Sequence, residues 1–218
     1  MEKGRSFYKK PQKDIDYKKY LKTLLTIFII GFAVYYFTQD TSVHLGPGVF
    51  APDEPIQTNL ESPETFSFKG FNITLLAEFH AVGKVLSKKN YHSGRESKLS
   101  PTDLALGWGR MSDESVLKDI KISQSGRWYW WKVKSFPIPR REIETHSANM
   151  HIIPATPNVE RVLKKVRKGE IIKMDGYLVN VSADDGWNWR SSLSRNDTGN
   201  HACELVYVEN LSIVKTKR

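Results

Sequence analysis

The chain has 218 residues, of which 39% are hydrophobic and 26% charged, enough apolar material for one packed domain with appendages and too much for disorder along its whole length. Its net charge is +9, but residues 1–22 hold eight Lys or Arg against three acids, so the basic balance is chiefly that of a tail. This weighs against a nucleic-acid-binding domain, which needs a basic stripe on its own folded surface, and the one cysteine, Cys203, excludes an internal disulfide.

In chain order, the first element is an apolar helix. Residues 23–39 run for 17 positions without a charge, which as a helix covers about 25 Å, the short end of what spans a bilayer. Lys22 can extend its ammonium to the headgroups, and Tyr17, Tyr20, Tyr35 and Tyr36 sit where interfacial aromatics are favoured. Eight Lys or Arg precede the segment and none follows until Lys69. The positive-inside rule then predicts a cytoplasmic N-terminus, a single-pass signal-anchor in contact with the lipid bilayer, and residues 40–218 outside the cytoplasm. A cleaved signal peptide would have a similar apolar region, but no small-x-small site follows Phe37.

Residues 40–66 contain Pro47, Pro52, Pro55 and Pro63 with five acids, the composition of an extended stalk. Beyond it, residues 71–86 predict a long strand or strand pair bent at Gly83. Ser100-Pro101-Thr102-Asp103 reads as a helix start, with Ser as N-cap and Pro in the first turn. Ser112-Asp113-Glu114 starts a second helix with Val116, Leu117 and Ile120 as its apolar stripe. Residues 127–133 form an aromatic strand. Asn158 caps a helix in which Val159, Val162, Leu163 and Val166 recur at helical spacing until Gly169. The period then changes to two, giving strands near 170–181, 187–193 and 203–209, the first two joined at Asp184-Asp185-Gly186.

The order predicts an α+β protein: an N-terminal transmembrane helix, then a small β-barrel-like, OB-like domain with a helical insertion at about 100–120. An open sheet with helices on one face fits the same pattern. The expected parts are a basic cytoplasmic tail (1–22), the membrane helix (23–39), the Pro-rich stalk (40–66) and an extracytoplasmic domain (67–218). Ser100-Pro-Thr-Asp-Leu-Ala-Leu-Gly-Trp-Gly, Ser147-Ala-Asn-Met-His-Ile-Ile-Pro and Arg195-Asn-Asp-Thr-Gly resemble uncharacterised single-pass, membrane-anchored bacterial proteins. The resemblance covers about 90–208, implies a bacterial inner-membrane location, and carries no known activity or catalytic residue.

Four groups of residues bear on function. Cys203 beside His201 is the raw material of a thiol nucleophile. The stretch resembles the active-site loop of L,D-transpeptidases, but Ala202 stands where that family has glycine and Glu204 where it has a basic residue. Cys203, Leu205 and Tyr207 also share one face of a strand, which suits a small core residue. His146 and His151 flank Asn149, yet no Cys pair or His-Glu-x-x-His accompanies them, so no metal site is predicted. All six tryptophans lie between 108 and 189. Trp128, Trp130 and Trp131, with Trp187, Trp189, Arg190 and Arg195, are the candidate binding surface, since exposed aromatics beside Arg suit sugar rings or a protein partner. The Lys164-Lys165-Val166-Arg167-Lys168 run reads as the solvated face of its helix.

No phosphate-cradling loop, nucleophile elbow or dinucleotide fingerprint is present, and no cofactor is predicted. The expected function is a membrane-anchored extracytoplasmic binding or assembly module, non-catalytic, that engages a protein partner or envelope polymer and not nucleic acid. The alternative is an envelope hydrolase or transferase using Cys203 or the His146–His151 segment.

Overall fold

The longest strand is β3 (Phe71–Asn90), whose Ala77, Phe79 and Ala81 alternate into the interior, while Phe71 and Ile73 join a second cluster with Val179, Val181 and Leu205. The computed structural model describes residues 17–38, 41–194, 199 and 202–215, with the side chains of 19 and 33–38 outside that description. Register shifts between Leu75 and Ala77 and between Val85 and Ser87 bend β3 on both sides of Gly83. One edge of the bent strand pairs with β8 (Ile171–Ser182). Its other edge is shared in turn by β2 (Thr65–Phe68), β1 (Ile56–Asn59) and β4 (Thr102–Gly107).

From β4 the sheet continues through β7 (Ser147–Pro154) to β10 (Glu204–Ile213) and back to β8, so that β3, β4, β7, β10 and β8 form a closed ring. The β7–β10 pairing is parallel and the other four are antiparallel. Inside the ring lie Phe79, Leu104, Leu106, Met150, Ile152, Met174, Leu178 and Val206, all essentially without solvent contact. The return that the parallel step requires is made by β8 itself, and α4 (Pro157–Lys165), which joins β7 to β8, buries Val159 and Leu163 in the same core. Thr156 Oγ1 accepts from Val159 N and Pro157 fills the first helical position, so the cap lies two residues before the expected Asn158. At the other end the Lys88 ammonium donates to the carbonyls of Leu163, Lys164 and Val166, where burial holds its pKa below the usual lysine range.

Between β4 and β7 the chain makes α2 (Glu114–Leu117), a hairpin of β5 (Ile120–Ser125) and β6 (Trp128–Val133), and α3 (Arg140–Thr145). Gly126 and Arg127 turn the hairpin at φ of 55° and 70°. Its inner face, with Ile120, Ile122, Tyr129 and Trp131, packs on Leu86, Ala105, Met111 and Ile143. The outer face carries Trp128, Trp130 and Lys132. A short β9 (Asn188–Trp189) pairs with the end of β8 around the turn at 184–186.

Several expectations are corrected here. Residues 17–38 form α1 (Tyr17–Thr38), in a unit described by itself. Among the described residues no helix is long and apolar enough to cross a membrane. Lys18 and Lys22 occupy the first turns of α1, leaving 16 of its 22 residues (23–38) uncharged, about 24 Å against roughly 30 Å of hydrocarbon. The single-pass signal-anchor, the bacterial inner-membrane location, the cytoplasmic N-terminus and the extracytoplasmic placement of the domain therefore lack their support. The expected fold class, a transmembrane helix followed by an OB-like barrel with a helical insertion, gives way to a mixed, sheet-rich domain with 42% strand and 22% helix. The expected helix at Ser100 is strand β4, fully buried between β3 and β7, and of the helical insertion expected at about 100–120 only a 3-10 turn (Gly109–Ser112) and the one-turn α2 are helical.

Of residues 40–66, read as stalk, 41–51 lie along the domain as a strap, while Ile56–Asn59 and the start of Thr65–Phe68 are sheet strands. Leu45 N and Gly46 N donate to the Glu114 carboxylate, Gly48 N to Asp113, and Phe50 N and Ala51 N to Ser112 Oγ. Beneath it Lys84, 3% exposed, pairs with Glu114 at 2.8 Å. Burial pushes the Glu114 carboxyl up, but Lys84 and the two amides outweigh it and hold the group below its ordinary range. The Gly48 N–H chiefly lowers Asp113 likewise. Gly169, at φ +88°, lets the strap approach so closely that a Cβ there would lie 1.8 Å from Val43 O.

Candidate aromatic binding cleft

On the ring's outer face, β4, β7 and β10 bring together residues that no local pattern connects. Asp103 on β4 and Ser147, Asn149 and His151 on β7 point outward, while Leu104, Met150 and Ile152 point in. The hairpin covers part of this face, and Arg127 at its turn reaches back to the sheet. Its Nη1 donates to Asp103 Oδ1 at 2.6 Å and its Nη2 to Ser100 O at 2.8 Å. The guanidinium also stacks 3.9 Å from the Tyr91 ring centroid, and Tyr91 Oη accepts from Arg127 N. Asp103 is wholly buried, so this ion pair is what compensates its charge. His151 Nδ1 lies 3.0 Å from the same carboxylate oxygen, with poor alignment for a hydrogen bond.

Beside this latch is a cleft with two arms that share Trp128, Gly199 and Cys203. The larger, of about 330 Å³, is walled by Trp128, Tyr129, Trp130 and Trp131 of β6, floored by Ser147, Ala148 and Asn149, and bounded opposite by Ala202, Cys203 and Glu204. The smaller, of about 260 Å³, lies between Trp128, Trp189, His151, Arg127 and Arg190. Trp128 and Trp130 are 41% and 47% exposed, with centroids 6.3 Å apart and planes within 25°. They lie on the outer face, whereas Tyr129 on the inner face is partly buried with its hydroxyl on Ser147 Oγ, and burial pushes its pKa up to about 12. Trp131 packs edge-on against the exposed Phe136 with Arg140 over its ring. Trp108 lines the larger arm; its buried indole N–H meets no acceptor among the described residues.

The residues singled out from sequence divide accordingly. Trp128, Trp130, Trp131, Trp189 and Arg190 converge on the cleft across more than fifty residues of chain. Trp187 instead packs on Phe71 under the Arg95 guanidinium, touching the cleft only through Trp189. Arg195 and His201 lie outside the described residues. Cys203 stands at the entrance to β10, half-buried, with Sγ 3.9 Å from Arg127 O and 3.7 Å from Asn149 Nδ2. His146 and His151 do not converge: His146 lies beside Trp108 and Glu54, His151 against Asp103 and Trp189. Among the described residues no three His, Cys, Asp or Glu side chains form a metal-binding group.

Sequence reading missed Asp103, Arg127 and Asn149. The signal for Asp103 was the alternation of Leu104 and Leu106 around Ala105, masked by the helix-start motif before it. Compared with protein families, curated proteins and solved structures, the chain matches none.

Proposed function

We propose that the domain is a non-catalytic binding module that takes up a protein partner or polymer in the cleft beside β6, with Trp128 and Trp130 as its aromatic anchors. The observation that carries this reading is the pair of parallel, nearly half-exposed indoles on the outer face of a hairpin whose inner face is buried. Large, rigid aromatic surface left to solvent beside a cavity is where binding energy concentrates in interfaces. Lys132 follows on the same face and Arg190 borders the smaller arm, so the surface is aromatic and basic together.

The test is tryptophan emission of the full chain titrated with acidic peptides, basic peptides and neutral oligosaccharides. A ligand should shift the emission, and Trp130→Ala should weaken its binding by about thirtyfold, the loss of roughly 2 kcal/mol expected of an anchor. The melting midpoint should barely move, because the ring packs on little. Silence from every probe, or equal binding by Trp130→Ala, would sink the reading.

A further inference from the structure

The larger arm of the cleft touches four consecutive residues of β6, Trp128 to Trp131. Successive side chains of a strand point to opposite faces, so a cavity that meets all four runs along the strand's edge. Among the described residues that edge has no strand partner, since β6 pairs with β5 alone. The floor is similar. Ser147, Ala148 and Asn149 pair with β4 on one side, while the β7–β10 ladder begins only at Met150. At the Arg127 end the walls are drawn together, because Arg127 O accepts from Asn149 Nδ2 at 3.1 Å. The arm therefore presents a run of main-chain N–H and C=O groups about 13 Å long at the strand's rise per residue, beside aromatic rings on either face.

Charge identifies the occupant. Residues 118–141 carry seven Lys or Arg against one Asp, a net of +6, while residues 23–218 as a whole carry +4. The hairpin and its flanks thus carry that region's positive excess on the exposed Lys121, Lys132 and Lys134, while within the arm Arg140 pairs with Glu144 and Glu204 is buried. We propose, resting on the binding reading above, that an extended acidic segment of a partner protein enters this arm and adds to the edge of β6 as a third strand. Main-chain bonds to β6 would supply register-independent affinity, the rings of Trp128 and Trp130 would receive alternate apolar side chains, and the exposed Lys132 and Lys134 would meet the acids.

The probe is an acetylated octapeptide of alternating valine and aspartate, added to the full chain, with three comparisons: the same peptide N-methylated at alternate residues, cellohexaose, and oligodeoxythymidylate. The unmethylated peptide should perturb tryptophan emission, slow hydrogen exchange at the amides of 128–131, and bind at least tenfold more tightly than the methylated form, because removing two or three main-chain donors costs about a factor of ten or more. Equal binding by the methylated peptide, or no protection at 128–131, would overturn strand addition. Binding of cellohexaose or oligodeoxythymidylate in its place would overturn it too, yet leave the cleft a binding site. No response from any probe would overturn both.

Discussion

Replacing Arg127 with methionine removes the only described cation on a wholly buried carboxylate while keeping most of the side chain's apolar stem. Three things are lost together: a 2.6 Å charge-assisted bond to Asp103, a bond to Ser100 O, and stacking 3.9 Å from the Tyr91 centroid. Breaking one partner of a buried pair costs about 3–5 kcal/mol, because the other charge is left uncompensated. For a domain of this size that predicts a melting midpoint lower by roughly 6–20 °C. Urea unfolding should show a lower midpoint at unchanged slope. Asp103→Asn in the Arg127→Met background should recover part of the loss, since it removes the stranded charge. Hydrogen exchange should rise first in 120–133, the hairpin that Arg127 ties down. A loss under about 1 kcal/mol, or strictly additive single and double variants, would refute the latch.

Gly169→Ala should expel the strap: its Cβ would meet Val43 O at 1.8 Å, and the backbone is held at φ +88°. Protease cleavage within 41–50 should appear in the variant and not in the parent. Because Asp113 and Glu114 are depressed in the folded state, their stabilisation is present above the ordinary carboxylate pKa and is lost as pH falls through the lowered values, so acid should expose the same segment. Tyr129→Phe tests the alkaline side. Its folded pKa of about 12 exceeds the unfolded value of about 10, so its contribution is complete below pH 10 and fades between 10 and 12, by about 3 kcal/mol. The variant, at a neutral-pH cost of about 1 kcal/mol for the Ser147 bond, should lose stability less steeply over that range. Parallel unfolding curves at pH 9 and 11 would count against burial as the cause.

Legibility from sequence followed locality. Helix α4 showed itself because Val159, Val162, Leu163 and Val166 repeat at its own period, and β3 because its alternation survives two bulges. The cap was misplaced by two residues, since Thr156 and Pro157 outrank Asn158 only when taken together. Strand β4 was hidden: a strand buried on both faces has no polar alternation to display, and Ser100-Pro101 imitates a helix start. The strap was unreadable because its amides are satisfied by Ser112, Asp113 and Glu114 more than sixty residues away. The cleft was half legible. Tryptophan clustering marked Trp128, Trp130, Trp131 and Trp189, but Asp103, Arg127 and Asn149 join them only through ring closure and the hairpin's return onto the sheet. The apolar run at 23–39 pointed to a membrane span through composition alone.

The closed order of strands also governs when this domain can begin to exist on the ribosome. β3 needs β8, about a hundred residues later, and the circuit is completed only by β10, whose two neighbours are β7 and β8. Until residue 213 has been synthesised, β7 and β8 each present a bare edge, and the apolar interior lies open between them. Such non-local pairing predicts slow folding and a nascent chain prone to association. The β5–β6 hairpin and the β2–β3 hairpin, each closed by a two-residue turn and built from neighbouring sequence, are free to assemble early.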